Sequence, residues 1–195
     1  MSMSTTTQPP RPMRADALRN RASILNAARE LFAGADPDVQ IGDVARRAGV
    51  GVGTVYRHFP DKEALMGELV RERFELFNAR LREALEEQGD PFEALAGAMR
   101  SNIGSLAEDA ATRFAFTSGG ERVFDHVQQE KLEFMEIASE LVGRAHEQGS
   151  LRGDFAAEDI PMLMCGVCAA IDHRAAGWVW ERLLELVISG MRSHP

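Results

Sequence analysis

Cysteine is scarce in this chain, with only Cys165 and Cys168 among 195 residues. Two thiols exclude a disulfide-stapled scaffold and point to a reducing compartment. No apolar run approaches the ~20 residues needed to span a bilayer, and the opening stretch MSMSTTTQPPRPMR has no apolar signal core. The expectation is a cytoplasmic protein without membrane association. Period-two alternation, internal repeats, a glycine-rich phosphate loop and a nucleophile-bearing motif are all missing. A helical enzyme is therefore the weaker of the rival readings, and no cofactor or metal is expected.

What is present is helical periodicity and an uneven charge distribution. Net charge is −8, which alone argues against a polyanion partner. Residues 1–65 hold nine basic and seven acidic side chains, net +2, whereas 66–195 hold 13 and 23, net −10. Positive charge gathers in the N-terminal third, where a nucleic acid could be met. Lys62 and Lys131 are the only lysines. The arginine and alanine bias fits a GC-rich coding sequence and carries little functional information.

The fold is expected to be all-α, with about nine helices. Residues 1–13 read as a disordered arm in which Arg11, with Arg14 just beyond, could follow DNA, although a solubilising tail is the simpler reading. Leu18, Ala22, Leu25, Ala28 and Phe32 mark a first helix over 16–34. A long helix from Asp61 to about Glu87 is too long for one small domain and should join two. Asp90-Pro91-x-Glu93 reads as a capped start for a helix to about Ala107. A short helix near 110–117, one amphipathic helix over 121–148, and two apolar helices at 157–172 and 175–192 complete the chain. Pro161 belongs in the first turn of its helix, and Gly149 ends the helix before it.

Residues 41–65, IGDVARRAGVGVGTVYRHFPDKEAL, are the most informative. Ile41 to Ala48 makes one short helix, broken by Gly49 in a left-handed conformation. Val52 to His58 makes a second, too short to stand alone. This is a helix-turn-helix layout, whose second helix enters a major groove. Gly51, Val52 and Gly53 keep its N-terminal end slim. Thr54, Tyr56 and His58 offer donors to phosphate, and Arg57 can neutralise a phosphate or read a guanine edge. Arg46 precedes the turn. Asp61 is the expected N-cap of the next helix, which places Lys62 in a first turn suited to phosphate.

The run AGVGVGTVYRHFPDKEAL resembles the DNA-binding signature of the tetracycline-repressor (TetR) family of bacterial regulators. The match is carried by Ala48, Gly49, Val50, Gly53, Thr54, Val55, Tyr56, His58, Phe59, Lys62, Glu63 and Leu65. Gly51 departs from it, standing where the family usually has Ser or Thr, so a hydroxyl contact is missing. Gln40 stands where a capping Ser or Thr is common, which suggests a weaker cap. The resemblance implies a helix-turn-helix domain at 14–60 and a helical ligand-binding and dimerisation domain at 61–195. It also implies a homodimer that binds a palindromic double-stranded DNA operator, acting most simply as a repressor released by a small-molecule effector. An effector-independent architectural DNA-binding protein is the alternative.

Two further groups of residues follow from that reading. In similar proteins the last two helices form a four-helix interface with their copies. Here both helices seat apolar side chains on more than one face. Ile160, Leu163, Val167, Trp178, Leu183, Leu184, Val187, Ile188 and Met191 are the expected interface. Met99, Asn102, Ile103, Phe114, Phe116, Met135, Met162 and Met164 are candidates for an effector pocket, since Phe and Met suit an adaptable cavity. The same residues would serve equally as plain core. The CxxC spacing of Cys165 and Cys168 and the run Asp172-His173-Arg174 lack the companions of a metal or catalytic site.

Overall fold

The computed structural model describes residues 12–86, 89–172 and 179–193. Among these, ten helices carry the fold, one more than expected: α1 (Pro12–Phe32), α2 (Ile41–Ala48), α3 (Val52–His58), α4 (Lys62–Glu86), α5 (Pro91–Glu108), α6 (Ala110–Ser118), α7 (Gly120–Asp125), α8 (Gln128–Glu147), α9 (Asp159–Asp172) and α10 (Trp180–Met191). The only β pairing among the described residues is an isolated bridge between Leu151 and Arg192. Residues 1–11 of the expected arm, His173, Arg174 and Trp178 lie outside the described residues.

Local chemistry explains the helix ends. Gly49 takes φ 69° and closes α2 with N–H bonds to the α2 carbonyls. Asp90 accepts from the Phe92 N–H at 2.9 Å and so caps α5, with Pro91 in the first turn, where its missing N–H costs nothing. The expected reciprocal bond from Glu93 is replaced by ion pairs to Arg192 and Arg100. Asp109 caps α6 through the Thr112 N–H at 3.0 Å.

Two element boundaries differ from expectation. Helix α1 begins at Pro12, four residues early, and Leu18 is 69% exposed instead of facing the core. The segment read as one helix over 121–148 is two, because the chain turns at His126 and Val127. No proline or glycine marks that corner. It is made by tertiary contact: Val127 is fully buried, and the Arg71 guanidinium of α4 donates to the His126 carbonyl at 2.6 Å.

Two hydrophobic cores result. One lies among α4, α5, α8, α9 and α10 and holds Met99, Ile103, Phe134, Ile160 and Ile171. The other lies under α1–α3 and extends to Leu65 and Leu69 of α4, Ala111 and Phe114 of α6, and Val123 and Val127. A chain of rings bridges them. Phe77 meets Phe134, Phe134 meets Phe74, Phe74 meets Phe116 and Phe116 meets Phe124, with centroids 5.5–6.3 Å apart. Burial of this kind stabilises by roughly 1.5–3 kcal/mol per large side chain.

Several expected site residues are core instead. Ile160, Val167, Leu184, Ile188 and Met191 are buried within their own subunit, so they cannot form a face for a second copy. Leu163 and Val187 are half-buried, and Leu183 is 37% exposed. The outward apolar side chains on these helices are Met162, Leu183 and Leu186, with Val179 beside them. Met162 therefore lies on the outer surface, apart from the core that holds Met99. Phe114 packs on Phe32 at 5.8 Å in the core beneath the helix-turn-helix, away from Met99. Met99, Ile103 and Met164 do share the larger core, with Met135 and Phe116 packed against it.

Candidate nucleic-acid interface

Helix α3 has seven residues and no side-chain cap of its own. It is held by two anchors. Val55 is fully buried and Phe59, just past its end, is 3% exposed. The Phe59 N–H returns to the Val55 carbonyl at 2.8 Å and closes the last turn. With those anchors inward, the helical period turns the other side chains out. Val52, Tyr56 and Arg57 are exposed, Thr54 and His58 half-exposed. Tyr56 shows 52% of its surface, high for an aromatic residue with no hydrogen-bond or ring partner among the described residues.

The glycines leave this face open. A Cβ at Gly53 would meet nothing within 4 Å, and one at Gly51 only the Thr54 hydroxyl at 3.9 Å. The subunit itself does not require glycine at either place.

Helix α2 carries the scaffold. Ile41, Val44 and Ala45 are buried. The Asp43 carboxylate accepts from the Gln40 N–H at 2.9 Å, while the Gln40 side chain donates to the Asp38 carbonyl. That backbone hydrogen bond, helped by Arg46, holds the Asp43 carboxyl below the usual range. Capping is thus supplied by Asp43 reaching back, a partner the reading of Gln40 did not foresee. Arg46 is exposed and pairs with Asp43. Arg47 pairs with Glu30 of α1. Arg57 has no ion pair among the described residues, and its guanidinium is free to meet a phosphate.

Asp61 caps α4 through the Ala64 N–H at 2.7 Å, as its position predicts. Lys62 is half-buried and less free than expected. Its Nζ donates to the Pro37 carbonyl at 2.8 Å and lies 5.8 Å from the Phe32 ring centroid. It ties the α1–α2 loop to α4, with two N–H donors left for an anion.

No cluster of metal-ligating side chains occurs among the described residues. Cys165 is exposed and Cys168 buried, so the two thiols do not share one surface. No helix among the described residues is long and apolar enough to cross a membrane.

Comparison with known proteins agrees with this geometry. Residues 24–69 match the family model described as bacterial regulatory proteins, tetR family. Residues 90–193 match that of the transcriptional regulator SbtR-like C-terminal domain. A TetR transcription regulatory protein from Mycobacterium vanbaalenii is 33% identical, with 93% of this chain and 99% of that one covered at a TM-score of 0.58. The HTH-type transcriptional repressor LfrR of Mycolicibacterium smegmatis is 35% identical over 85 residues, 44% of each chain. The Bacillus subtilis regulator FadR, solved with stearoyl-CoA, is 20% identical over 87% of this chain and 98% of its own, at a TM-score of 0.69. That last likeness is one of fold. The C-terminal match spans more than half of the chain, and the N-terminal match falls on the helix-turn-helix itself. The chain belongs to the TetR family of bacterial transcriptional regulators.

Proposed function

We propose that this protein is a cytoplasmic, homodimeric, one-component repressor that binds a palindromic operator and is released by a small-molecule effector. The observation that carries the reading is the outward face of α3, with Tyr56 and Arg57 exposed and without an ion pair or ring partner among the described residues, while Val55 and Phe59 lock the helix from below. Residues 14–60 present the reading head and 61–195 sense and dimerise. Tyr56, Thr54, His58 and Lys62 hold phosphates, Arg57 and Arg46 add charge, and Gly51, Val52 and Gly53 let the backbone approach. Two copies would place their α3 helices in successive major grooves. LfrR and FadR, a named repressor and a structure with bound stearoyl-CoA, support repression and effector control. An effector acts by binding the released state more tightly than the bound one.

Fluorescence anisotropy with the DNA flanking its own gene tests this. The intact protein should prefer one palindromic segment over random DNA by at least 10³-fold. Arg57→Ala should lower the slope of log affinity against log salt by about one. Tyr56→Phe should cost roughly 1 kcal/mol with little change in slope. Equal affinity for random DNA would favour an architectural role and reject the repressor.

A further inference from the structure

Four charged side chains of alternating sign cross three helices. Arg21 of α1 pairs with one oxygen of the Glu68 carboxylate on α4, and Arg71, one turn further along α4, pairs with the other, each at 2.5 Å. Arg71 also pairs with the Glu130 carboxylate of α8 at 3.1 Å and donates to the His126 carbonyl at 2.6 Å. An isolated ion pair on a wet surface contributes little. Here the Glu68 side chain is only 12% exposed, and its carboxylate is shared by two arginines. Its loss would free Arg21 and loosen Arg71 together.

The two ends of this chain of charges lie in different parts of the fold. At one end the Arg21 guanidinium lies over the Phe59 ring, 5.3 Å from its centroid, close enough for the ring face to hold a cation. Phe59 is the buried anchor whose N–H closes the last turn of α3. At the other end is the corner where the chain turns from α7 to α8. Helix α4 is the crossing point. It is fastened on its opposite side as well, where the buried Arg73 donates to the Asn102 carbonyl of α5. A second pair joins α1 to α4, Arg29 with Glu72, but among the described residues it reaches neither Phe59 nor the corner.

We propose that Glu68 is a positioning residue for operator binding: it holds Arg21 against Phe59 and so sets the pose of α3 from the α7–α8 corner. Glu68 itself touches no DNA. A helix of seven residues cannot hold its own pose. The side chains that close its underside therefore decide where Tyr56 and Arg57 point. The effect on affinity rests on the reading of α3 as the DNA-contacting helix; the effect on its pose does not.

The intact protein tests both. Tyr56 is the only tyrosine in the chain, so labelling with fluorotyrosine places a single fluorine resonance on α3. Glu68→Gln keeps the size of the side chain and one accepting oxygen. It should shift that resonance in the free protein, and Arg71→Met should shift it too, although neither residue lies on α1 or α3. Both should weaken operator binding about fivefold or more. Glu68→Gln decides the matter because it removes a negative charge. Coulomb attraction alone would then tighten the complex with DNA, whereas a displaced α3 weakens it. Glu72→Gln removes an equal charge and the other tie between α1 and α4. It should leave the resonance in place and should not weaken binding. Arg21→Met should weaken binding with the salt slope unchanged; a slope lower by about one would make Arg21 a phosphate contact and overturn the positioning role. An unmoved resonance or tighter binding in Glu68→Gln, or equal effects from Glu72→Gln, would overturn it as well. Should the unaltered protein bind no operator, the reading of α3 fails, while the resonance shifts still decide what Glu68 does to its pose.

Discussion

Gly51 shows how a single residue can be read from both sides of an interface. Its φ of −69° is ordinary for any residue, and a Cβ there has space. Gly51→Ser should therefore supply the missing N-cap of α3, raising stability by a few tenths of a kcal/mol. It should also tighten the operator complex by adding a phosphate contact. Melting and anisotropy check the two effects separately, and a more stable protein with weaker DNA binding would mean that the backbone needs the space a hydroxymethyl group fills. At this scale the sequence was legible where chemistry is local. Asp61, Gly49 and Asp90 cap where their spacing places them. It was illegible where partners come from elsewhere in the chain. Lys62 is drawn to the Pro37 carbonyl across 25 residues. Arg73 escaped notice because an arginine is taken as solvated by default. The available signal was its place in an apolar stripe with Leu69, Val70, Phe77 and Leu81.

At the scale of elements, the corner between α7 and α8 is the feature the sequence hid. Its cause lies across the interface on α4, where Gly67 is buried against His126. A Cβ at Gly67 would lie 2.7 Å from the His126 Cβ, closer than packed atoms tolerate. Arg71 fastens the same corner and also pairs with Glu68 and Glu130. Glu68 in turn pairs with Arg21 of α1. Gly67→Ala should wedge α4 away from the corner and cost about 1–3 kcal/mol. Because the ion pairs reach α1, the same change should alter operator affinity without touching α3. A variant with unchanged melting and unchanged DNA binding would show that α4 does not bear on the corner. The last two helices pose a related difficulty. Each seats apolar side chains on two faces, and composition cannot say which face turns inward. Burial decides it, since Leu184 and Ile188 point in while Leu186 points out.

For the whole molecule, the homodimer proposed above would have to draw on apolar side chains that are exposed, among them Met162, Val179, Leu183 and Leu186. Met162 of α9 and Leu186 of α10 border one groove, together with Leu163 and Val187. The double change Met162→Arg/Leu186→Arg should give monomers in sedimentation with helicity retained. Leu184→Arg, by contrast, should unfold the subunit, because it buries an unpaired charge at a cost of several kcal/mol. Dimers that persist in the double variant would move the interface elsewhere. The all-α class and the reading head were legible because helical period and turn chemistry are short-range. The number of helices, the depth of the core and the inner faces were not, because they depend on contacts between distant segments. One such contact set bears on protein engineering. The core beneath α1–α3 is completed by Ala111, Phe114 and Ala115 of α6 and by Val123 and Val127, so the first sixty residues do not close on themselves. A chimaera that grafts only those residues onto a foreign sensor would strip Phe32 of its stacking partner, and a transplant that works must carry α4, α6 and α7 along with the headpiece.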